Sequence, residues 1–254
     1  MKNITERHEY ILNKIKENSK ISIQELCDEM NVSSVTIRKD LKLLEEKHLL
    51  FRTKGGASSS NPYATDKPIL IKESINLDEK NKIAKKAIEI IQDNDSILIG
   101  SGTTAYALAR YLNPTEKITV ITPALKVAIE LCNKPNIEVL QLGGLIRPNS
   151  SSVAGQYAMR ILDEISSGMV FLGVDGIDLE FGITISNLTE ATLNQKMIAT
   201  SQKVVILADS TKFGKRGLGK ICNIEDVDYV VTDQNISPNY VKSLEENGIK
   251  VVIA

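Results

Sequence analysis

The chain has 254 residues, 42% of them hydrophobic, with 31 Lys and Arg against 32 Asp and Glu for a formal net charge of −1. That is enough length and apolar content for two modest domains or one large one, and it excludes a polycation. The charge is uneven: residues 1–57 carry 11 Lys and Arg against 9 Asp and Glu, and Ser33 to Lys54 carry six against three. Positive charge is therefore local, as binding in a DNA groove requires. Cys27, Cys132 and Cys222 form no C-x-x-C pair, which argues against a zinc ribbon or a disulfide framework and fits a reducing cytoplasm. His8 and His48 have no metal-ligand spacing, and no metal or cofactor is expected. No apolar run approaches the roughly 18 residues of a membrane span, and Met1 to Glu6 lack a signal-peptide core, so the expected location is cytoplasmic, away from membranes.

Three short helices fit the first fifty residues. Thr5 is placed to cap the first, whose inner stripe is Ile11, Leu12 and Ile15. Ile21-Ser22-Ile23 alternates like a short strand, and Gln24 to Met30 forms a second helix with Leu26 and Met30 inward. Asn31-Val32-Ser33 is a tight turn into a third helix with Ser33 at its N-cap. Ile37, Leu41 and Leu44 recur at i, i+4 and i+7 and face a core. Ser34, Thr36, Arg38, Lys39 and Lys42 are left towards solvent. Short hydroxyls and long cations are the side chains that hold phosphates and read base edges, and the spacing is that of a helix-turn-helix. Leu49 to Thr53 is expected to pair with Ile21-Ser22-Ile23 as a wing, bringing Arg52 and Lys54 to the same surface, and Lys54-Gly55-Gly56-Ala57 closes the unit.

Ser58 to Pro68 has no periodicity and reads as a linker. Residues 69–91 look mostly helical. Strand signals then recur at 96–100, 118–121, 138–142, 169–173, 204–208, 229–232 and 250–253, with helices near 103–112, 124–133, 155–166, 189–201 and 238–247. Several strands are apolar on both faces, the mark of a mostly parallel, Rossmann-like α/β sheet covered on both sides. Function in such a sheet lies at the carboxyl ends of its strands. Four stretches fall there. Gly100-Ser101-Gly102-Thr103-Thr104 ends a strand and opens a helix, offering free N–H groups and hydroxyls to a phosphate; its spacing equally suits a plain tight turn. Gly143-Gly144 is a turn or a ligand loop. Asp175-Gly176-Ile177-Asp178 carries two carboxylates fit for acid–base work, for sugar hydroxyls or for turn chemistry. Asp209-Ser210-Thr211-Lys212, with Lys196, is expected to set cations and hydroxyls on one rim.

These residues resemble the DeoR-type bacterial transcriptional regulators, across nearly the whole chain. Val32-Ser33 with Thr36-Ile37-Arg38-Lys39-Asp40-Leu41 is similar to that family's helix-turn-helix signature, with Lys39 where a second Arg is usual. Arg52-Thr53-Lys54-Gly55-Gly56-Ala57 is similar to its close. Ser101-Gly102-Thr103-Thr104, Leu142-Gly143-Gly144, Phe171-Leu172-Gly173 and Ala208 to Gly214 match in order and spacing. Gly100, Pro123 and His48 depart from it, standing where Asp, Asn and Gly are common. The resemblance implies a winged helix-turn-helix DNA-binding domain at 1–57, a linker at 58–74 and a sugar-phosphate-sensing domain at 75–254. That sensor resembles ribose-5-phosphate isomerase and CoA-transferase-like folds. The expected function is a repressor of a carbohydrate catabolic operon. Its partners are double-stranded operator DNA, a sugar-phosphate effector and further copies of itself. The same resemblance aligns Gln195 with the isomerase's catalytic Glu, which implies binding without catalysis. The alternative is an isomerase-like enzyme with an appended DNA-binding domain, for which Glu190 is the nearest carboxylate on that helix.

Overall fold

A computed structural model describes residues 3–18, 20–47, 49–53, 55–58, 66–91 and 96–254, and the chain divides into two units, Met1–Tyr63 and Ala64–Ala254. His48, Lys54 and positions 59–65 of the expected linker lie outside the described residues.

The N-terminal unit runs α1 (Ile4–Asn18), β1 (Lys20–Ser22), α2 (Ile23–Met30), α3 (Ser34–Glu46), β2 (Phe51–Thr53) and β3 (Gly56–Ser58). Ile11, Ile15, Leu26, Met30, Ile37, Leu41 and Leu44 form its core with Leu50 and Ala57; Leu12 is only partly covered. The cap of α1 is Asn3, not Thr5: Asn3 Oδ1 accepts from the Glu6 N–H at 2.9 Å and Glu6 Oε2 from the Asn3 N–H at 3.1 Å. Ser22 and Glu25 repeat this reciprocal box at α2, and Asn31, at φ 53°, turns the chain towards α3. The wing also differs from expectation. β1 does not pair with β2; β3 lies between them, with Ala57 opposite both Ile21 and Arg52. Gly56 permits this, since a Cβ there would lie 1.9 Å from the Ile21 carbonyl oxygen.

The C-terminal unit opens with α4 (Ile69–Glu73) and α5 (Leu77–Ile88). It continues through β4 (Ser96–Ile99), α6 (Thr103–Tyr111), β5 (Ile118–Thr122), α7 (Leu125–Leu131), β6 (Ile137–Gln141) and the hairpin β7 (Leu145–Arg147) and β8 (Ser152–Ala154). After α8 (Gln156–Leu162) come β9 (Ser167–Gly173), β10 (Gly176–Asp178), β11 (Gly182–Ile185), α9 (Leu188–Thr200) and β12 (Ser201–Leu207). β13 (Gly219–Cys222), β14 (Tyr229–Thr232), α10 (Pro238–Glu246) and β15 (Lys250–Ile253) complete it. Seven strands form one sheet in the order β15-β14-β12-β9-β4-β5-β6, parallel at every pairing. Alternate residues feed two cores. Leu98, Val170, Leu172 and Ile206 pack with α8 and α9; Ile97, Ile99, Phe171 and Val205 pack with α5, α6 and α7. The short strands β10, β11 and β13 form a separate antiparallel sheet.

Strand order reverses direction between β4 and β9: from β4 the chain moves outward to β5 and β6, then returns to β9 on the other side. The crevice at that reversal, beyond the strands' carboxyl ends, is where ligands bind in open parallel sheets. Positions 66–74, read above as linker, belong to this unit: Ile69 is buried, its N–H donates to the Asn149 carbonyl at 2.7 Å, and Lys72 reaches Asp175.

Candidate functional site

On the N-terminal unit, α3 presents its polar face as expected. The Thr36 N–H donates to Ser33 Oγ at 3.3 Å, which closes the N-terminus of the helix. A cap of this kind is worth about 1 kcal/mol. The Ser33 and Thr36 hydroxyls also lie 3.1 Å apart, so both serve the cap. Ser34, Arg38, Lys39 and Lys42 are exposed. Ser34, Arg38 and Lys42 stand one turn apart on a single face; Lys42 lies 3.8 Å from Glu46, while Arg38 and Lys39 form no ion pair among the described residues. Arg52 is tied back to α3: its N–H donates to Glu45 Oε1 at 2.8 Å and its Nη1 is 3.6 Å from Glu45 Oε2. The residue missed by the sequence reading is Val35, a large apolar side chain left 60% exposed in the first turn of α3. A second omission lies behind the face. Asp40, 2% exposed, accepts from Arg7 Nε at 2.7 Å and Nη2 at 3.0 Å, with His8 Nε2 at 3.3 Å, and so bolts α3 to α1.

In the C-terminal unit three loops meet at the crevice. The first follows β4. Gly102, at φ 108°, turns the chain into α6 with no side-chain cap, so the first N–H groups of that helix stay open beside Ser101, Thr103 and Thr104. A side chain at Gly102 would be strained by this φ. The loop after β9 is its neighbour: a Cβ on Gly173 would lie 3.4 Å from the Ser101 carbonyl oxygen. Gly100, the departure from the family pattern, faces the Leu172 side chain, which comes within 2.7 Å of where a Cβ would stand.

Asp175, 8% exposed, accepts from Lys72 Nζ at 2.8 Å and from the Ser186 N–H at 2.9 Å. Burial by itself would raise its pKa; Lys72 and the Ser186 donors outweigh that and hold the carboxyl below its ordinary value. Gly176 lets the Lys215 carbonyl oxygen approach to 2.4 Å of a would-be Cβ, joining this loop to the one after β12. Asp178, by contrast, accepts from the Glu180 and Phe181 N–H groups and from Arg216 Nη2 at 2.9 Å, as a turn residue of the β10–β11 hairpin.

The third loop follows β12. Asp209, 2% exposed, accepts from the Thr211 N–H at 3.1 Å and from Asn76 Nδ2 at 3.2 Å. The Ser210 N–H donates to Asp233 Oδ2 at 2.6 Å. Lys212 and Lys215 form no ion pair among the described residues, and Lys215 feels both Lys212 and Asp209. Burial, reinforced by Lys212, lowers the Lys215 pKa.

The main cation missed by the sequence reading is Lys80. It is buried, donates to the Lys72 and Ile75 carbonyls at 2.5 Å each, and burial lowers its pKa to about 8 against the pull of Asp209. Lys72, Lys80, Lys212 and Lys215 thus gather about Asp175 and Asp209, with Glu73 also felt at Lys80, and ammonium groups so placed suit an anion that also carries hydroxyls. The i, i+8 spacing of Lys72 and Lys80 was visible in the sequence, but nothing there tied 72–80 to loops a hundred residues away.

Two expected members are not brought to the crevice. Lys196 pairs with Asp163, near the C-terminal end of α9, where the chain enters β12 beside the first residue of β9. That is the amino-end rim of the sheet. Gly143-Gly144 follows β6, two strands and roughly 10 Å from the reversal; Gly144, at φ 144°, turns the chain into the β7–β8 hairpin. Gln195, aligned above with the isomerase's catalytic Glu, lies elsewhere on α9. Gln195 is exposed, its amide donating to the Lys220 carbonyl at 2.8 Å, a turn and a half down α9. The carboxylate at the crevice end of α9 is Glu190, 6% exposed, 2.8 Å from Arg147 Nη1 outside hydrogen-bond geometry, and accepting from Ser152 Oγ at 3.1 Å.

Residues 7–62 match the DeoR-like helix-turn-helix domain and residues 75–234 the DeoR C terminal sensor domain. The chain is 37% identical to the HTH-type transcriptional regulator YulB of Bacillus subtilis, over 98% of this chain and 96% of that protein. It is 34% identical to the lactose phosphotransferase system repressor of Lactococcus lactis, over 94% and 95%, and 30% identical to the HTH-type transcriptional repressor GlcR of Bacillus subtilis, over 98% and 95%. Among solved structures, ribose 5-phosphate isomerase A from Neisseria gonorrhoeae overlaps 53% of this chain and 52% of its own at 20% identity and a TM-score of 0.39. Among the described residues no helix is long and apolar enough to cross a membrane.

Proposed function

The chain belongs to the DeoR family of helix-turn-helix transcriptional regulators, and from that premise we propose that it represses a carbohydrate-use operon and is released from DNA by a phosphorylated sugar. The observation that carries the effector half is the crevice at the β4/β9 reversal. An open helix N-terminus with three hydroxyls, two buried carboxylates and four lysines converge there. Phosphate oxygens suit the N–H groups and ammonium groups; sugar hydroxyls suit the carboxylates. Relatives named as a lactose phosphotransferase system repressor and as a transcriptional repressor support both the sugar and the sign of regulation. At least two copies would present two copies of α3 to the half-sites of a pseudo-palindrome.

Catalysis is the lesser reading. Glu190 stands beside the Arg147 guanidinium and accepts from the Ser152 hydroxyl, contacts that tie α9 to the β7–β8 hairpin and fit a structural role. A thermal-shift screen of sugar phosphates against the unphosphorylated sugars tests the effector class, since a ligand raises the melting temperature by mass action. Ribose 5-phosphate turnover at enzymatic rates would end the regulator-only reading.

Lys212→Met should cost roughly 1.5–3 kcal/mol of effector binding, because it removes a hydrogen bond to a charged group. The concentration needed to release DNA then rises about 10- to 150-fold, while DNA binding without effector is unchanged. Release at wild-type concentrations would place the phosphate elsewhere. On the DNA side, Val35 offers an apolar contact for a thymine methyl. Substituting deoxyuridine for each operator thymine in turn deletes only that methyl. One position should weaken wild-type binding about fourfold, on the order of 0.8 kcal/mol, and leave Val35→Ala indifferent. A wild type insensitive at every position rules the interaction out.

A further inference from the structure

We propose that Lys72 and Asn76 are the groups with which the ligand competes, so that residues 66–80 report its binding towards the DNA-binding unit; this rests on Asp175 and Asp209 being the hydroxyl acceptors. The segment lies across the carboxyl ends of the strands and is held there by separate links to four parts of the sheet. Asp66 accepts from Arg147 Nη2 at 2.9 Å and Asn149 accepts from the Ile69 N–H at the β7–β8 hairpin. Glu73 pairs with Lys126 of α7. Lys72 and Asn76 end on Asp175, after β9, and on Asp209, after β12.

The last two links differ in kind from the others. Asp175 and Asp209 are 8% and 2% exposed, and the donors lying on them from this segment are Lys72 and Asn76. A sugar hydroxyl that takes the place of Lys72 on Asp175 Oδ1 or of Asn76 on Asp209 Oδ1 must move that donor aside. The geometry also names the ligand class. A neutral sugar that displaced Lys72 would leave its ammonium without its Asp175 counter-ion, close to Lys80. A phosphorylated sugar supplies the missing charge in the same step: its hydroxyl takes the carboxylate and its phosphate takes the ammonium. Unphosphorylated sugars therefore bind weakly or not at all. In sequence β3 ends at Ser58 and the segment begins at residue 66, so in this proposal its release is what the DNA-binding unit senses. The arrangement in which Lys72 and Asn76 hold the carboxylates is the DNA-competent one, and a ligand that prefers the released arrangement shifts the balance by its differential affinity.

The test needs no effector. Lys72→Met and Asn76→Ala, made in the full chain, each cut one link. With no sugar phosphate added, each should bind a duplex selected by the wild-type protein from random DNA at least fivefold more weakly, and amide exchange across 66–80 should accelerate. Lys196→Met, at the opposite rim, should match wild type in both measurements. Circular dichroism and thermal melting establish that the variants fold. If Lys72→Met does not fold, Asn76→Ala, which removes a single 3.2 Å hydrogen bond, decides alone. Wild-type or tighter DNA binding by a folded variant, or unchanged exchange, overturns the proposal. The underlying site reading fails separately: it falls if Lys212→Met responds to sugar phosphate as wild type does, whatever the Lys72 and Asn76 variants show.

Discussion

Arg7→Met should melt the N-terminal unit at temperatures that leave the C-terminal unit folded, and DNA binding should vanish with it. Asp40 lies in the middle of α3 at 2% exposure, and the Arg7 guanidinium holds both of its oxygens. Methionine fills similar volume but leaves the carboxylate in an apolar wall with only the His8 imidazole beside it. Removing one partner of a buried pair costs about 3–5 kcal/mol, because the other charge is left unpaired. The low end, about 3 kcal/mol, is the better expectation here, since Arg7 keeps 8% of its surface exposed. For a unit of some sixty residues that is a melting shift of about 12–24 °C, most of what so small a core supplies. Differential scanning calorimetry should show the two transitions separating. The double variant Arg7→Met with Asp40→Leu should recover much of the loss, as an apolar pair replaces an ionic one. A single variant that melts like wild type shows that the pair is structurally silent.

Arg38→Ala is expected to weaken specific operator binding by about 1–3 kcal/mol, or roughly 5- to 150-fold, if its guanidinium reads a guanine edge. No described residue of the unit pairs with that side chain: it is exposed, one turn from Ser34 and Lys42. Lys39→Ala and Lys42→Ala should behave differently. Deleting an ammonium that neutralises a phosphate weakens binding to all sequences alike and reduces the salt slope by about one. Gel-shift titrations at several salt concentrations, on the selected duplex and on a scrambled one, separate the roles. Equal losses on both duplexes reassign Arg38 to the phosphate backbone; unaltered affinity on both removes it from the interface.

Much of this was legible in one dimension because the signals are local. The α3 stripe at i, i+4 and i+7 is a property of helix period, and Ile37, Leu41 and Leu44 are buried accordingly. The strands at the centre of the parallel sheet carried apolar runs, since both of their faces are covered, while β6 at the edge reads less cleanly and leaves Glu138 and Leu140 exposed. The six strands that escaped, β3, β7, β8, β10, β11 and β13, are three or four residues long, too short for period two to stand out from turn chemistry. The Thr5 cap failed against Asn3 because both types cap well and only the backbone path chooses between them.

The chain's residue order alone determined the reading head, the alternation of strand and helix, and the three loops that end in glycine, hydroxyl or acid. Those depend on neighbours a few positions apart. Which loops share a crevice is a matter of strand order, and strand order is set by packing between residues far apart in the chain. Hence Lys196 went to the amino rim with Asp163, Gln195 to the outer face of α9, and Glu190 to the crevice end. Lys72, Asn76 and Lys80 came over the rim to Asp175 and Asp209 for the same reason: bonds spanning 103 and 133 residues hold them there. Pairings of that length leave no periodic trace in the sequence, so folding alone decides which charges meet.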